Sequence, residues 1–289
     1  MIQINKQYSY KEFISNLQSF DNNMLVFMIN NNDIQLQESQ ELQTLSLPNV
    51  ANLKNLAHLI DENSIIIKWT YDKQQNLIFI NNNIIPSNNL VNIKYSKQYL
   101  SHKQFELLLL AKHLKYWYLK NKYCGMCANK MTINYNTNNL AIKCNKCNNI
   151  VYPSLSPVAI GLIYHNQQIL LAKSIKNINT NIYGCIAGYT TLGETIEETL
   201  KRETYEEVGV FIKNISYINS QYWPFPDSLM FGFIAEYDSG IIKIDKTELI
   251  DAAWFSIDKL PDLPPKTSIS YMLIEHYLKN LHLYKHNKY

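Results

Sequence analysis

The sequence predicts an α/β protein in three parts: a small N-terminal α/β domain, a helix with a cysteine module, and an α/β/α sandwich with a mixed sheet. Three observations support this prediction. Short strand-like segments fill the N-terminal third, two C-x-x-C pairs follow one long amphipathic helix, and strand patterns then alternate with helical ones. We place the domains at residues 1–98, 99–156 and 157–289.

The N-terminal part carries strand signals but no functional motif. Three segments rich in β-branched or aromatic residues predict strands, and Asn-rich stretches at Asn30–Asp33 and Asn81–Asn83 predict turns between them. The predicted strands are Met24–Ile29, Ile65–Trp69 and Leu77–Ile80. Ser101 then opens an amphipathic helix that runs to about Lys120 and leads to the first cysteine pair.

The composition is that of a globular protein with a substantial core. The 289 residues are 46% hydrophobic and 18% charged, with a formal net charge of +3. This charge is too small to predict binding to nucleic acid or to an anionic membrane on its own. The first twenty residues lack the apolar core of a secretory signal, and no segment has the length of a membrane span. We therefore expect a protein of the reducing cytoplasm that has no membrane partner.

Four of the five cysteines form two pairs, Cys124-Gly-Met-Cys127 and Cys144-Asn-Lys-Cys147. Two thiolates three positions apart can share one metal ion, and two such pairs supply the four tetrahedral ligands of a structural Zn²⁺. The spacing between the pairs is that of a zinc ribbon. Four buried free thiols and a redox-active pair are the alternatives. A site closed by four protein ligands has no open position for water, so we expect zinc to hold structure and not to catalyse.

The C-terminal part combines strand and helix signals around one informative helix. The predicted strands are Val158–Tyr164, Gln168–Ala172, Leu229–Tyr237 and Glu248–Phe255, with a turn at His165–Asn166. Helices are predicted over Glu194–Val208 and Ser268–Leu283. Thr195 and Glu198 form a capping box at the start of the first helix, and Gly209 is placed to end it.

Within this helix Glu203, Glu206 and Glu207 stand at positions i, i+3 and i+4, so the three carboxylates share one face. Like charges so close together repel unless cations lie among them, and hard oxygen ligands suit Mg²⁺ or Mn²⁺. Arg202 precedes the group and can orient Glu203. A solvated acidic helix is the alternative, but the flanking glycines and the apolar opposite face favour a site.

The segment from Gly188 to Val210 resembles the Nudix box, G-x5-E-x7-R-E-U-x-E-E-x-G-U, where U is aliphatic. All seven fixed positions match, as Gly188, Glu194, Arg202, Glu203, Glu206, Glu207 and Gly209. Thr204 replaces the first aliphatic residue, and its hydroxyl can bond the carbonyl of Leu200 one turn earlier. We therefore expect a small cost in stability and no loss of chemistry.

Further segments resemble the NADH pyrophosphatase branch of that superfamily, which includes enzymes that remove NAD caps from RNA. Ser220–Ser228 is similar to the array S-Q-P-W-P-F-P-x-S, with Tyr222 in place of its first proline. Tyr152-Pro153 follows the ribbon as in the branch, and Glu248 matches its downstream glutamate. Thr191 and Ser270 depart from the branch pattern, which carries Glu and Ala there.

The resemblance implies hydrolysis of NADH or NAD⁺ to nicotinamide mononucleotide and AMP, with removal of NAD caps from RNA as a related activity, by a homodimer. It implies Mg²⁺ or Mn²⁺ on Glu203, Glu206, Glu207, Glu248 and the backbone of Ala187, with Arg202 also in the catalytic set. The implied substrate-binding residues are Tyr152, Ala187, Tyr189, Gln221, Tyr222, Trp223, Pro224, Phe225, Pro226, Asp227, Ser228 and Ser270.

The cations would neutralise the diphosphate and lower the pKa of an attacking water molecule, and one glutamate of the set would take its proton. We expect Trp223, Phe225, Tyr189 and Tyr152 to form the aromatic surroundings of the dinucleotide. Two other functions remain open. One is a Nudix pyrophosphatase of other nucleoside diphosphate derivatives, such as ADP-ribose. The other is a zinc-ribbon protein that binds RNA and carries a decayed Nudix domain.

Overall fold

The computed structural model describes residues 2–38, 45–52, 65–80, 89–134 and 140–284 of the chain. The chain forms two compact units: Met1–Ser154 with Pro224–Asp227, and Leu155–Trp223 with Ser228–Tyr289. The predicted helix and cysteine module therefore belong to the first unit, and the division into three domains stays a prediction. Within the described residues no helix is long and apolar enough to cross a membrane.

The first unit is built on a six-stranded sheet with strand order β1-β6-β7-β2-β3-β8. Its elements, with the separate β4–β5 ladder, are β1 (Gln3–Ser9), α1 (Tyr10–Ser15), β2 (Leu25–Asn30), β3 (Asp33–Gln35), β4 (Gln37–Glu38), β5 (Leu45–Ser46), β6 (Ile65–Tyr71), β7 (Gln74–Ile80) and β8 (Leu90–Asn92). The three predicted strands are confirmed. The turn predicted at Asn81–Asn83 lies outside the described residues.

Alternating side chains give this sheet two buried faces. Phe27 and Ile67 belong to one hydrophobic cluster, while their neighbours Met28 and Ile66 belong to another. Successive side chains of a strand point to opposite faces, so each face receives its own core. Both faces of the sheet are therefore covered.

The predicted long helix is α2 (His102–Lys120), and it begins with a capping box. The Ser101 hydroxyl accepts the backbone N–H of Gln104, and the Gln104 side chain accepts that of Ser101. Leu107, Leu108 and Trp117 on this helix pack into the cluster that contains Phe27. The cysteine module follows as a three-stranded antiparallel sheet of β9 (Met131–Ile133), β10 (Ile142–Cys144) and β11 (Ile150–Val151).

The second unit contains a mixed sheet with strand order β15-β16-β12-β13-β17, and β14 pairs with β12. Its strands are β12 (Ser156–His165), β13 (Gln168–Ser174), β14 (Ile186–Tyr189), β15 (Val210–Trp223), β16 (Ser228–Gly240) and β17 (Leu249–Ser256). The β12–β16 pair is parallel and the other pairs are antiparallel. The mixed sheet predicted from the sequence is confirmed.

One helix covers each face of this sheet. α3 (Ile196–Val208) packs through Leu200 and Val208 into the cluster of Ile163 and Phe233. α4 (Ile269–Lys279) packs into a different cluster with Ile160 and Leu162. Because Ile163 and Leu162 are successive residues of β12, the two helices lie on opposite faces. The unit is therefore the α/β/α sandwich that the sequence predicts.

Three predicted boundaries of the second unit are wrong. α3 begins at Ile196 and not at Glu194, because Thr195 is its N-cap residue. The β12–β13 turn lies after His165, which still pairs with Gln168. The closing helix stops at Lys279, and Leu281–Leu283 forms a separate 3-10 turn.

Candidate functional site

The candidate site lies along α3, whose start is fixed by local chemistry. The Thr195 hydroxyl accepts the backbone N–H of Glu198 at 3.3 Å, and the Glu198 carboxylate accepts that of Thr195 at 2.8 Å. Further along, the Thr204 hydroxyl donates to the Leu200 carbonyl at 2.7 Å, which satisfies a polar group in the core. The predicted capping box and the predicted bond from Thr204 to Leu200 are confirmed.

The end of α3 holds the loop that carries Glu248. Gly209 adopts a left-handed conformation with φ of 71°, which a side chain would disfavour. Beyond it, the backbone N–H of Lys243 donates to the Val208 carbonyl and that of Asp245 to the Glu207 carbonyl, both at 2.9 Å. These bonds satisfy carbonyls that a helix end leaves unpaired, and they place the loop before β17 beside the acidic face.

The carboxylates of this face differ in exposure. Side-chain exposure is 13% for Glu203 and 56% for Glu206, while Glu207 is 6% exposed. Burial raises the pKa of Glu203, and it raises the pKa of Glu207 to about 8, with further contributions from the charges of Glu203 and Glu248. The charged form of these groups is therefore unfavourable without a cation, which is the electrostatic condition that a metal ion relieves.

Arg202 joins the acidic face to the loop before α3. Its Nε lies 2.5 Å from Glu194 Oε1, and its Nη1 lies 2.8 Å from both Glu203 Oε1 and Glu206 Oε2. Its Nη2 donates to the backbone carbonyl of Tyr189 at 2.9 Å. The predicted contact between Arg202 and Glu203 is present, and the guanidinium fixes two of the three carboxylates of the face.

Glu194 was given no role in the sequence interpretation, although it occupies a fixed position of the box. Its carboxylate accepts the Arg202 side chain, the backbone N–H of Thr191 and the Thr199 hydroxyl. These bonds, led by that of Arg202, lower the pKa of Glu194 to about 2. One sequence signal could have indicated this role: Glu194 stands eight positions before Arg202, the arginine that directly precedes the three glutamates of the face.

The backbone at Gly188 touches the acidic face directly. A methyl group added to Gly188 would lie 1.8 Å from Glu203 Cδ and 2.1 Å from its Oε1. Because glycine has no side chain, the backbone of β14 can approach the carboxylate this closely. Ala187, the neighbouring residue of the same strand, stays a predicted metal ligand through its carbonyl.

The donor set fits a hard divalent cation. Carboxylates and a backbone carbonyl are the ligands that Mg²⁺ and Mn²⁺ prefer. Among the described residues the glutamates do not bring their oxygen atoms into one compact cluster. Arg202 holds Glu203 and Glu206, and Glu207 is buried. The residues present therefore fit an open metal site at the surface of the unit.

The cysteine module is already compact enough to hold a metal ion. The Sγ atoms of Cys124, Cys127, Cys144 and Cys147 all lie within 4.8 Å of one another, which is true of no other such group among the described residues. The four thiols are free and form no disulfide. Ala128 and Asn148, which follow the two pairs, have φ of 57° and 61°, so each pair sits in the same type of tight turn. Ala128 adopts this conformation although many zinc ribbons have glycine there.

The predicted substrate-binding residues of the second unit fall into two groups. Tyr189 is 49% exposed, and its hydroxyl lies 3.2 Å from the Ser228 hydroxyl. Gln221 and Ser270 instead hold the backbone. The Gln221 amide donates to the Thr267 carbonyl and accepts the N–H of Ile269, both at 2.7 Å, at the start of α4. The buried Ser270 hydroxyl accepts the N–H of Cys185 at 2.9 Å.

Of this second-unit set, Tyr222 and Trp223 are half-buried at the end of β15, and burial raises the pKa of Tyr222. The remaining predicted substrate-binding residues belong to the first unit. These are Tyr152, which is 50% exposed, and Pro224, Phe225, Pro226 and Asp227. The array Ser220–Ser228 is therefore divided between the two units. Packing of Phe225 against the first core, which no local pattern encodes, is the physical reason.

Lysines of the first unit surround this segment. Lys112 Nζ lies 4.9 Å and Lys94 Nζ 5.3 Å from the centre of the Phe225 ring, and Lys120 Nζ lies 3.2 Å from Asp227 Oδ2. Burial of Lys112, with the nearby charge of Lys94, lowers its pKa to about 8. Cation–π contacts and one ion pair thus attach Pro224–Asp227 to the first unit.

Comparison with known proteins gives consistent results. The model of the NUDIX domain matches residues 155–277. The chain is 41% identical over 173 residues to the NAD-capped RNA hydrolase NudC of Chromobacterium violaceum, covering 60% of this chain and 64% of that protein. It is 40% identical over 176 residues to NudC of Escherichia fergusonii, covering 61% of this chain and 67% of that protein. The match thus spans about two thirds of the length of these relatives.

A solved NUDIX hydrolase from Nitrosomonas europaea covers 56% of this chain with a TM-score of 0.46 and 18% identity, and 93% of that chain is covered. This likeness is too distant to carry an argument about function.

Proposed function

The chain belongs to the Nudix family, and on that basis we propose that it hydrolyses the diphosphate bond of a nicotinamide adenine dinucleotide, either free or at the 5′ end of an RNA. The products would be nicotinamide mononucleotide and an adenosine 5′-monophosphate. The observation that carries the proposal is the acidic face of α3, where Glu207 is buried and Glu203 lies against the backbone of Gly188. The names of the relatives support the choice of substrate.

The residues at the acidic face would bind metal, position the carboxylates or accept a proton in this reaction. Glu203, Glu206, Glu207 and Glu248, with the Ala187 carbonyl, would hold Mg²⁺ or Mn²⁺. Bound there, the cations would neutralise the diphosphate and lower the pKa of a water molecule. Arg202 keeps Glu203 and Glu206 in place through its two contacts of 2.8 Å. A carboxylate of the set takes the proton of the attacking water.

Substrate recognition would involve the predicted binding residues. The exposed ring of Tyr189 follows Gly188, so it stands next to the acidic face and can stack on a flat base. The side chains of Gln221 and Ser270 hold backbone groups, which supports an indirect role in shaping the site. Tyr152, Tyr222, Trp223, Pro224, Phe225, Pro226, Asp227 and Ser228 stay predicted substrate-binding residues.

We also propose that the four cysteines bind one structural Zn²⁺. Four thiolates close a tetrahedral site and leave no position for water or substrate. Metal binding of this kind is coupled to folding, so the ion would hold β9, β10 and β11 together. Free thiols that bind zinc require a reducing compartment, for which we propose the cytoplasm. The homodimer implied by the resemblance is a further proposal, which sedimentation of the purified protein tests.

A side-by-side product assay tests the proposed function. NADH, NAD⁺, ADP-ribose and an NAD-capped RNA are each incubated with the protein and Mg²⁺ or Mn²⁺, and the products are separated by chromatography. We expect nicotinamide mononucleotide from the three nicotinamide substrates, with kcat/KM above that for ADP-ribose. A preference for ADP-ribose would contradict the proposed substrate while leaving the reaction class intact.

A further inference from the structure

A surface cavity lies at the end of α3, on the side away from its N-cap. Its volume is about 510 Å³, and we call it the helix-end cavity. It is lined by Tyr205, Glu206, Gly209, Lys243, Ile244, Asp245 and Lys246. Ligand pockets commonly enclose about 300–1,000 Å³, so the cavity is large enough for one nucleotide. Glu206 belongs both to its wall and to the acidic face.

One exposed aromatic ring, that of Tyr205, lines this cavity, and a second ring stacks on it. Tyr205, on the last turns of α3, is 52% exposed, and Phe211, at the start of β15, is 50% exposed. Their rings are stacked, with centroids 4.7 Å apart and an angle of 30° between the planes. Phe211 thus packs against one face of the Tyr205 ring, while about half of the surface of each residue is exposed to solvent. Such a supported ring suits stacking by a flat base.

The acidic side chains of the cavity have partners within the chain, whereas its two lysines form no ion pair among the described residues. Glu206 is paired with Arg202 at 2.8 Å, and Asp245 accepts the backbone N–H and the hydroxyl of Thr247, both at 2.8 Å. Lys243 and Lys246 are exposed, and neither forms an ion pair with any part of the chain that the structure describes. The backbone bond from Lys243 to the α3 carbonyl holds its Cα in position. Two positive charges are therefore available to an anionic ligand beside the aromatic pair.

We propose that the helix-end cavity binds a nucleotide of the RNA that follows the cap, with its base stacked on Tyr205 and its phosphates on Lys243 and Lys246. This inference rests on the proposed function, since it takes the diphosphate of the cap to lie on the acidic face. Glu206 belongs both to that face and to the cavity wall, so the cavity adjoins the place where the strand would leave the diphosphate. A stacking ring beside cationic side chains is the common chemistry of single-strand binding.

The surface at Tyr205 and Phe211 has two alternative roles, one in stability and one as a contact between two copies of the chain. The Tyr205–Phe211 contact also packs across the turn at Gly209, and a purely structural role would affect stability alone. A second copy of the chain could cover the exposed rings. However, the same surface of a second copy carries the same two lysines without acidic partners, so a phosphate-bearing ligand is favoured. The proposal is accordingly tested by RNA affinity, with stability and oligomeric state measured in parallel.

The experiment measures binding of a fluorescein-labelled single-stranded oligoribonucleotide without a cap, by fluorescence anisotropy, to the full zinc-bound chain without added Mg²⁺ or Mn²⁺. Tyr205→Ala should weaken binding roughly 5- to 150-fold, which is the usual effect of removing one base–aromatic stack, while Tyr205→Phe should bind as the wild type does. The double variant Lys243→Ala/Lys246→Ala should also reduce the salt dependence. Its log–log slope should be smaller by about 1.4, since each phosphate contact on a single strand contributes about 0.7.

The matched control is Lys201→Ala/Lys259→Ala, which removes the same charge from exposed positions of the same unit. Its RNA affinity should fall less than that of the cavity variants, and kcat/KM for free NADH should be unchanged in both. Equal affinity losses in the two double variants would overturn the proposal, because nonspecific charge would then explain them. So would a lower melting temperature or altered oligomeric state of Tyr205→Ala with unchanged RNA affinity. Because binding is measured without catalysis, failure of NADH hydrolysis would contradict the proposed function and leave this result interpretable.

Discussion

The contact between Gly188 and Glu203 gives a prediction whose size can be worked from the structure. In Gly188→Ala the new methyl carbon would lie 1.8 Å from Glu203 Cδ. Carbon atoms pack at about 3.5–4.0 Å, so the carboxylate must move by roughly 2 Å. It would thereby also lose its 2.8 Å contact with Arg202. A misplacement of about 1 Å in an active site can cost about 100-fold, so we expect kcat/KM to fall by at least about 100-fold.

The matched control for this variant is Gly161→Ala in the same sheet. There the added methyl would lie 2.6 Å from Leu200 Cδ1, inside the core under α3. Overpacking of this kind costs about 1–3 kcal/mol of unfolding free energy, so this variant should melt earlier and keep its turnover at low temperature. Gly188→Ala should show the opposite pattern, because the group that must move is the end of the flexible Glu203 side chain and not part of the apolar core. Full activity in Gly188→Ala would refute the role assigned to the Glu203 carboxylate.

Three further predictions concern the zinc site, the stacking ring and a buried lysine. Protein purified without added zinc should contain one Zn²⁺ per chain, and Cys124→Ser should lose soluble protein more than specific activity. Tyr189→Ala should reduce kcat/KM for NADH roughly 5- to 150-fold and that for ADP-ribose less, since ADP-ribose lacks the nicotinamide ring. Lys112→Met should raise the melting temperature at neutral pH, because burial disfavours the charged ammonium and lowers its pKa from 10.5 to about 8. The unfavourable contribution of Lys112 is complete below about pH 8 and is relieved as pH rises towards 10.5, so the advantage of the variant should shrink across that range.

Each of these has its own contradicting result. Four titratable thiols in native, zinc-free protein would rule out the metal site. Equal losses for NADH and ADP-ribose in Tyr189→Ala, with a lower melting temperature, would indicate packing and not nicotinamide stacking. A melting temperature of Lys112→Met that follows the wild type at every pH would mean that the ammonium is solvated or neutralised by a partner.

Local rules predicted the parts of the fold that depend on neighbouring residues. The capping box of Thr195 and Glu198 and the bond from Thr204 to Leu200 are confirmed, because each joins residues within one turn of helix. The four cysteines are together, since their spacing fixes two tight turns. The α/β/α layers also followed from the alternation of strand and helix patterns.

Contacts over long distances in the sequence were not predictable in this way. Pro224–Asp227 belongs to the first unit because Phe225 packs among residues more than a hundred positions away. Gln221 holds the start of α4, 46 positions later, with both ends of its amide. No periodicity or turn signal carries such information, so the sequence alone does not show that Phe225 packs against the core of the first unit.

The interaction of Arg202 with Glu194 shows a limit of a different kind. The sequence placed both residues in the box, but only the structure shows that one guanidinium contacts Glu194, Glu203 and Glu206 together. A motif states which residue types occur at which spacing. It does not state which acids an arginine neutralises and which, such as Glu207, are left buried beside other carboxylates.

The most direct test of the central claim compares Glu207→Gln with the wild type, using saturating NADH and Mg²⁺. Release of reduced nicotinamide mononucleotide and AMP is measured by chromatography, and thermal melting without metal reports the fold. The substitution removes a buried carboxylate whose pKa burial raises to about 8, so we expect the variant to melt no earlier than the wild type. It should nevertheless release no product, and the zinc-bound wild type should release none when Mg²⁺ and Mn²⁺ are left out. Wild-type turnover by Glu207→Gln at ordinary Mg²⁺ would contradict the assignment of this face as the metal site.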